Sequence, residues 1–258
     1  MCELFGIASR LPTTATITLR RFAERGGLEH RLIDGWGIAL ADGADLRLYR
    51  EPEPARDSVW LGFIEQRRIR TRLLISHMRH ATRGAVLLAN TQPFAREIAG
   101  RMHCFAHNGR LDGIDRRHAR ERSRFLPLGE TDSELAACLL FERMAGLWTG
   151  RRPPPLARRL ATVTRFAAEM RELGPANFLY SDGLTLFAHG HRRMQANGRI
   201  EPPGLWRLHR RCASDPDALA EAGITLEARP AQRIELFASV ALTSEDWQPL
   251  AQGEVAAV

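Results

Sequence analysis

The chain begins with MCELFG at residues 1–6, and residues 3–9 (ELFGIAS) form a short apolar run that is typical of a β-strand. If Met1 is removed, Cys2 becomes the amino terminus and carries both a thiol and a free α-amino group. The amine, with an ordinary pKa of about 8, can take the thiol proton directly or through one water. A nucleophile and its general base then sit on one residue. A second-position cysteine is by itself more often incidental, so further motifs have to support this interpretation.

The length and composition describe an ordinary globular chain. With 258 residues it is long enough for one large domain or two small ones. Residues 151–155 (RRPPP) are a candidate linker, but the roughly 100 residues that follow are mostly strand-like, so a single domain over residues 1–258 is expected. No apolar run is long enough to span a bilayer, and the amino terminus lacks the basic region of a secretory signal. A cytoplasmic protein with no membrane partner is expected.

The net charge of +7 comes entirely from arginine, since all 37 basic residues are arginine. The arginines are spread along the chain and accompany no helix-turn-helix, RNP or zinc-knuckle pattern, so no nucleic-acid partner is expected. The absence of lysine excludes a Schiff-base lysine and a phosphate-binding loop that ends in Gly-Lys. The cysteines are widely spaced and form no CxxC pair, which argues against disulfides and a zinc site. Cys104, Cys138 and Cys212 are predicted to be buried or inert.

Apolar periodicity and turn signals predict strands along most of the chain and a few helices. A hairpin is expected around Asp42-Gly43, and a second one around the turn Ser181-Asp182-Gly183. The pattern favours sheets packed together with two or more helices outside them. Helices are predicted over 16–25, 58–70, 133–145 (amphipathic) and 155–173, and strands over 3–9, 34–40, 46–50, 72–78, 101–106, 177–180, 184–188, 205–209 and 234–241.

Four short motifs stand out between residues 76 and 134. They are SHMRHATRG at 76–84, NTQPF at 90–94, AHNG at 106–109 and TDSE at 131–134. Each has an ordinary structural explanation. Asn108-Gly109 is a common turn, Arg79 is compatible with a solvated surface charge, and Asp132 complements a helix dipole. Thr131 or Asp132 is a candidate helix N-cap.

A histidine-based metal site is a further alternative, because four histidines lie within residues 77–107. Their spacing does not match a helical HExxH motif, in which an acidic residue directly follows the first histidine. No metal is therefore expected. The histidines concerned are His77, His80, His103 and His107.

Taken together with Cys2, the motifs resemble those of the class II glutamine amidotransferases, most of all the stand-alone type. That pattern consists of Met-Cys, an Asp-Gly-Trp-Gly strand, Arg-x-x-Thr, Asn-Gly after a strand, and an Asp-Ser-Glu helix start. They occur here in this order at residues 1–2, 34–37, 79–82, 108–109 and 132–134. The likeness also reaches residues 181–183 and 242–247 and is weaker over 110–130 and 190–230. It implies an α+β fold, the four-layer αββα sandwich of N-terminal-nucleophile hydrolases.

The resemblance also implies roles for particular residues. Cys2 would attack the side-chain amide of glutamine, giving a γ-glutamyl thioester and ammonia, followed by hydrolysis to glutamate or transfer. Asn108 and Gly109 would form the oxyanion hole. The substrate carboxylate would be bound by Arg79, with Thr82 nearby, and the substrate ammonium by Asp132. The family chemistry requires no cofactor.

Two departures from the family pattern leave alternatives open. His80 and Arg83 stand where aminosugar-forming relatives often have tryptophan and histidine, and both are expected near the substrate. No ammonia-consuming domain follows within residues 1–258. Either a partner protein uses the ammonia, or the protein hydrolyses another γ-glutamyl amide or peptide. A catalytically silent subunit that keeps the fold is the non-enzymatic alternative.

Overall fold

The computed structural model describes residues 2–17, 34–55, 58–80, 84–118, 123–211, 224–227 and 232–258. The strands are β1 (Glu3–Ile17), β2 (Trp36–Asp42), β3 (Asp45–Glu51), β4 (Arg70–Met78), β5 (Phe94–Ile98), β6 (Arg101–Gly109), β7 (Ala176–Ser181), β8 (Leu186–His189), β9 (Arg193–Met194), β10 (Ile200–Glu201), β11 (Trp206–Arg211), β12 (Ile224–Glu227), β13 (Arg233–Ala238), β14 (Gln248–Pro249) and β15 (Val255–Ala257). The helices are α1 (Val59–Arg67), α2 (Ile114–His118), α3 (Asp132–Leu147) and α4 (Leu156–Leu173), and Leu88–Asn90 form a 3₁₀ turn.

The strand that follows Cys2 lies in the middle of the first sheet. The order of this sheet is β14-β11-β13-β1-β4-β2-β3, with β12 paired to the far end of β1. Phe5 on β1 pairs with Ser76 of β4 on one side and with Ala238 of β13 on the other, both antiparallel. The second sheet has the order β15-β8-β7-β6-β5. Cys2 is therefore positioned by a strand that is held from both sides.

Alternating side chains on β1 explain how the two sheets stack, because successive residues of a strand point to opposite faces. Leu4 is buried in the apolar layer between the two sheets, together with Ala106 of β6. Phe5 points the other way, into the layer that α1 covers with Leu61. A third apolar layer joins the second sheet to α3 and α4. The molecule is thus a four-layer αββα sandwich, which confirms the fold class expected from the resemblance.

Most of the predicted elements are confirmed, with bounds that differ by a few residues. The hairpin at Asp42-Gly43 is β2–β3, and the turn at 181–183 separates β7 from β8. The helix predicted over 16–25 is wrong at residues 16 and 17, because these continue β1 and pair with β12. Residues 18–25 lie outside the described part of the chain. Strands β5, β9, β10, β12, β14 and β15 and helix α2 were not predicted.

Helix α3 begins at the predicted N-cap but is not amphipathic. The Thr131 Oγ1 accepts the Glu134 N–H at 3.2 Å, so Thr131 is the cap. The helix is buried on most of its surface because it packs against β5, β6, α2 and α4. Even Glu134 is buried, and its carboxylate accepts bonds from Arg96 at 3.0 Å and from the Gly129 N–H at 2.7 Å. The predicted amphipathic character is therefore wrong.

The remaining cysteines were predicted to be structural. Cys104 and Cys138 are buried free thiols, as predicted, and Cys212 lies outside the described residues. Burial raises the pKa of Cys104 to about 12, which keeps that thiol protonated. Among the described helices, none is long and apolar enough to cross a membrane.

Candidate active site

Cys2 lies at the start of β1, beside the loop that leaves β4. Its Sγ accepts the His80 N–H at 3.3 Å and lies 3.5 Å from the His80 carbonyl oxygen, to which the thiol donates. Burial raises the pKa of the Cys2 thiol, while the His80 N–H and the charge of Arg79 act in the opposite direction. A thiol that keeps its proton near neutral pH needs a base to become a nucleophile. Its own α-amine, once Met1 is removed, is in reach by covalent geometry alone.

Asn108 at the end of β6 contacts Cys2 across the two sheets. Its Nδ2 donates to the Cys2 carbonyl oxygen at 2.7 Å and lies 3.3 Å from the Ser239 Oγ. Ser239 in turn accepts the Leu4 N–H through its Oγ at 2.9 Å and donates its own N–H to the Leu4 carbonyl at 3.1 Å. Residues 106 positions apart in sequence are thereby joined. The structure brings together Cys2 and Asn108, as the motifs predicted.

The Asp-Gly-Trp-Gly motif and the segment 90–94 contact each other next to β6. A Cβ on Gly37, in the Asp-Gly-Trp-Gly run, would lie 2.1 Å from the Gln92 carbonyl oxygen, so the close approach of these segments requires glycine. The Gln92 side chain then pairs with the backbone of His107. Its Oε1 accepts the His107 N–H at 2.6 Å and its Nε2 donates to the His107 carbonyl at 3.1 Å. The segment 90–94 therefore holds the end of β6 on the side where β5 lies.

The same bonds fix the direction of the Gly109 N–H. Arg110 donates its N–H to the Pro175 carbonyl on the β7 side, and His107 uses the β5 side. Because N–H groups alternate along a strand, the Gly109 N–H points to the β5 side, past the last paired residue of β5. A Cβ at Gly109 would lie 1.8 Å from the Pro175 carbonyl oxygen. Glycine is required here by this backbone contact.

Arg79 is buried directly after β4, so it is not a solvated surface charge. Only 4% of it is exposed. Its main chain exchanges bonds with Gly35 at 2.8 Å and Asp34 at 2.9 Å, and its Nη2 donates to the Gly84 carbonyl at 3.1 Å. The guanidinium thus lies within the loop that also carries His80. Thr82 falls outside the described residues.

Asp132 lies in a cleft that adjoins the one around Cys2. Its Oδ2 accepts the Leu111 N–H at 2.7 Å and its Oδ1 accepts the Ser133 N–H at 2.8 Å. The Cys2 cleft has a volume of about 220 Å³ and includes Asn108 and Gly109. Arg110 lines both clefts, which therefore meet at that residue. Asp132 does not line the Cys2 cleft itself.

A buried ion pair next to Cys2 was not predicted. Glu3 Oε1 lies 2.6 Å from Arg193 Nη2, and Arg193 Nη1 donates to the Ser239 carbonyl at 2.6 Å. Burial raises the pKa of Glu3, and the charge of Arg193 opposes this effect. The position of Glu3 within an apolar strand was a signal in the sequence that could have identified it. No sequence signal singled out Arg193 among 37 arginines, and none pointed to Ser239.

Asn177 on β7 was also missed, although it supports the predicted oxyanion residue. Its Nδ2 donates to the Asn108 carbonyl at 3.0 Å and to the Arg192 carbonyl at 2.9 Å, and its Oδ1 accepts the His191 N–H at 2.8 Å. The Oδ1 and both Nδ2 hydrogens of the side chain are thus bonded to backbone groups. Asn177 links the end of β6 to the segment that leads into β9.

The histidines are held by hydrogen bonds or by burial, and within the described ranges no group of His, Cys, Asp and Glu is arranged to hold a metal ion. Burial lowers the pKa of His77 and of His103 to about 3, so both rings are neutral. The His107 Nδ1 lies 2.9 Å from the Ser133 Oγ. The ring therefore connects β6 to the first turn of α3.

Comparisons with known proteins identify the family. A family model described as class-II glutamine amidotransferases matches residues 1–258. The chain belongs to this family. It is 32% identical over 255 residues to the "Putative glutamine amidotransferase YafJ" of Escherichia coli (strain K12), covering 98% of this chain and 96% of that protein.

Solved structures agree with this assignment. A "predicted glutamine amidotransferase" from Pseudomonas aeruginosa matches with a TM-score of 0.71 and 29% identity, covering 99% of this chain and 96% of the other. The glutamine phosphoribosylpyrophosphate amidotransferase of B. subtilis matches with a TM-score of 0.52 at 18% identity, covering 88% of this chain and 49% of that chain. The second likeness concerns the fold alone. The family assignment is therefore supported by independent comparisons, whereas the roles of individual residues are still predictions.

Proposed function

We propose that the protein is a glutamine amidohydrolase of the class II amidotransferase type, with residues 1–258 acting as one domain. The observation that carries the proposal is the contact between Cys2 and Asn108 across the two sheets, with Nδ2 2.7 Å from the Cys2 carbonyl. It sets a thiol and an amide donor at the head of one cleft, together with Gly109. A nucleophile beside two donors suits attack on a carboxamide.

The first step would be attack of the Cys2 Sγ on the side-chain carbonyl carbon of glutamine. The Cys2 α-amine takes the thiol proton and passes it to the leaving nitrogen, so that ammonia departs as the γ-glutamyl thioester forms. Water then cleaves the thioester to give glutamate. The raised pKa of the thiol is consistent with this order, because the proton is removed only when substrate is attacked.

The developing oxyanion would be stabilised by the Asn108 Nδ2 and the Gly109 N–H. One Nδ2 hydrogen is engaged by the Cys2 carbonyl at 2.7 Å, and the second has only a 3.3 Å contact with Ser239. That second hydrogen is therefore the one available to an oxyanion. The Gly109 N–H points past the paired part of β5.

The α-end of glutamine would extend from Cys2 toward Arg79 and Asp132. Arg79 provides a planar guanidinium for the carboxylate, and Thr82 is proposed as a hydroxyl donor from the family resemblance alone. Asp132 provides a carboxylate for the ammonium group from the adjoining cleft, which shares Arg110 with the Cys2 cleft. An ammonia-consuming partner protein is compatible with this scheme.

The proposal is tested by measuring ammonia and glutamate release from glutamine by purified protein. Intact-mass analysis must first show that Met1 has been removed, since a retained Met1 locks the amine in a peptide bond. We expect equal amounts of ammonia and glutamate from the processed protein and none from the unprocessed form. If the processed protein releases neither product, the proposed reaction with glutamine is wrong. The alternatives are then hydrolysis of another γ-glutamyl amide or peptide, which the substrates of the next subsection test, and a silent subunit.

Asn108→Ala is expected to lower kcat for glutamine by about 10²–10³-fold, because one oxyanion donor is lost. Steady-state kinetics measure the effect. The matched control is Ser239→Ala, which loosens the same contact between β6 and β1 without removing an oxyanion donor. We expect a much smaller fall in kcat for the control. An equal fall in both variants would mean that Asn108 only positions Cys2.

Arg79→Lys is expected to raise KM for glutamine about tenfold or more with a small change in kcat, because a point charge replaces a bidentate guanidinium. The control substrate is 4-aminobutanamide, which lacks the α-carboxylate, and its KM should not change. An unchanged KM for glutamine would show that Arg79 does not bind the carboxylate.

A further inference from the structure

The Cys2 cleft is lined by neither of the two predicted binding groups for the α-end of glutamine, Arg79 and Asp132. It is lined by Cys2, Asn108 and Gly109 at its head, and by Pro175, Met194 and Ile200 along its apolar walls. Asp132 lines the adjoining cleft on the other side of Arg110, and Arg79 lines neither of them. If the glutamyl group lies toward Asp132, the Cys2 cleft faces the substituent on the amide nitrogen. The single amide nitrogen of glutamine would leave most of this space unfilled.

Arg192 lines this cleft and has no carboxylate partner in the described ranges of the chain. Its Nε is buried and donates to no acceptor there. Buried donors are rarely left without a partner, and a guanidinium forms strong bidentate pairs with carboxylates. The Nε of the adjacent Arg193 is also buried without an acceptor, but its two Nη groups differ, because Glu3 and the Ser239 carbonyl accept from them. Among the described residues, Arg192 is therefore a cleft-lining cation with no anionic partner.

The main chain of Arg192 is held at a fixed distance from the reacting groups. Asn177 donates through one Nδ2 to both the Arg192 carbonyl, at 2.9 Å, and the Asn108 carbonyl, at 3.0 Å. A ligand anion bound by Arg192 would thus be placed relative to the oxyanion donors by a single buried side chain. Such rigid placement is what a specific binding site requires.

We propose that this cleft binds an amine leaving group that carries a carboxylate, and that the substrate is a γ-glutamyl peptide with an apolar carboxy-terminal residue. Arg192 binds the carboxylate, and Met194 and Ile200 contact the apolar side chain. This inference rests on the proposed function and makes it more specific. Cys2 forms a bond to the γ-carbonyl carbon, the bond from that carbon to nitrogen breaks, and the amine leaves with the thiol proton. Water then releases glutamate from the thioester.

The test compares γ-glutamyl-leucine with γ-glutamyl-3-methylbutylamide, which is the same compound without the leucine carboxylate. Glutamine is the third substrate, and glutamate release is measured for all of them. We expect kcat/KM for γ-glutamyl-leucine to exceed that for either of the others about tenfold or more, since a charge-assisted pair is added. The variant Arg192→Gln should abolish this preference while leaving the other two substrates unchanged.

The matched control is Arg199→Gln, an exposed arginine between β9 and β10 that does not line the cleft. It should keep the preference. Because the 3-methylbutylamide serves as an internal reference, a general folding defect in Arg192→Gln would lower both rates and be recognised. Cys2-dependent turnover of glutamine with no preference for γ-glutamyl-leucine would overturn this inference and leave the proposed function standing. Absence of turnover with every substrate would overturn both.

Discussion

Cys2→Ala is expected to reduce glutamate release from glutamine by a factor on the order of 10³ or more, because loss of a covalent nucleophile removes the whole catalytic route. The other described cysteines cannot replace it, since Cys104 and Cys138 are buried away from the cleft. Among the described residues, the hydrogen bonds of the Cys2 side chain both involve the backbone of His80. The fold should therefore be unchanged, and thermal unfolding followed by circular dichroism checks this.

A second variant separates the thiol from the amine. Inserting one glycine between Met1 and Cys2 leaves the thiol in the chain but puts its amine in a peptide bond. We expect this variant to lose activity almost as completely as Cys2→Ala. More than a tenth of wild-type activity in Cys2→Ala would contradict the covalent mechanism. Full activity in the insertion variant would contradict only the role of the α-amine.

Arg193→Leu is expected to lower the free energy of unfolding by about 3–5 kcal/mol, because it leaves the Glu3 carboxylate buried without its cation. Urea unfolding at pH 7 measures the change. The double variant Glu3→Leu with Arg193→Leu should recover most of the loss, since both charges are then removed. A matched control is Arg47→Leu, which breaks the exposed pair with Asp42 and should have a much smaller effect on the free energy of unfolding.

The loss of unfolding free energy caused by Arg193→Leu, called the deficit below, should also depend on pH. Burial already raises the pKa of Glu3, and removing the opposing charge of Arg193 raises it further. When the pKa of a carboxyl group is higher in the folded than in the unfolded state, its contribution to folding stability is fully present below the ordinary pKa of about 4.3. That contribution is lost as the pH rises through the folded-state pKa. The deficit should thus be smaller near pH 4 than at pH 7. An equal deficit at both pH values would show that the Glu3 charge does not cause it.

The fold was predictable from sequence where short motifs identify residues on distant strands that contact each other. The strand at Cys2 and the Asn108-Gly109 turn were assigned from sequence, and the structure places them together. The hairpins were also predictable, because their turns have local signals in Gly43 and Gly183. Such turn signals extend over only a few residues, and they were sufficient to predict the strands on either side of each turn.

The features that were missed depend on tertiary pairing. Helix α3 has a good N-cap, but its burial on most sides arises from α2 and α4, which its own periodicity does not reveal. Ser239 matters only because β13 pairs with β1 and carries it to Leu4. Arg193 and Arg192 are adjacent in sequence, but among the described residues only Arg193 is paired with a carboxylate. Composition cannot distinguish two arginines that are neighbours.

The central position of β1 also has a consequence for the order of events during synthesis. Phe5 pairs with Ala238, so the first sheet cannot close around the amino terminus until the ribosome has made β13. At about 5–20 residues per second, this interval is about 10 to 50 s. During that time one edge of β1 has no neighbour, and an aminopeptidase can reach Met1 on the nascent chain. Maturation of the nucleophile would then precede completion of the sheet that encloses it, and the timing is set by topology.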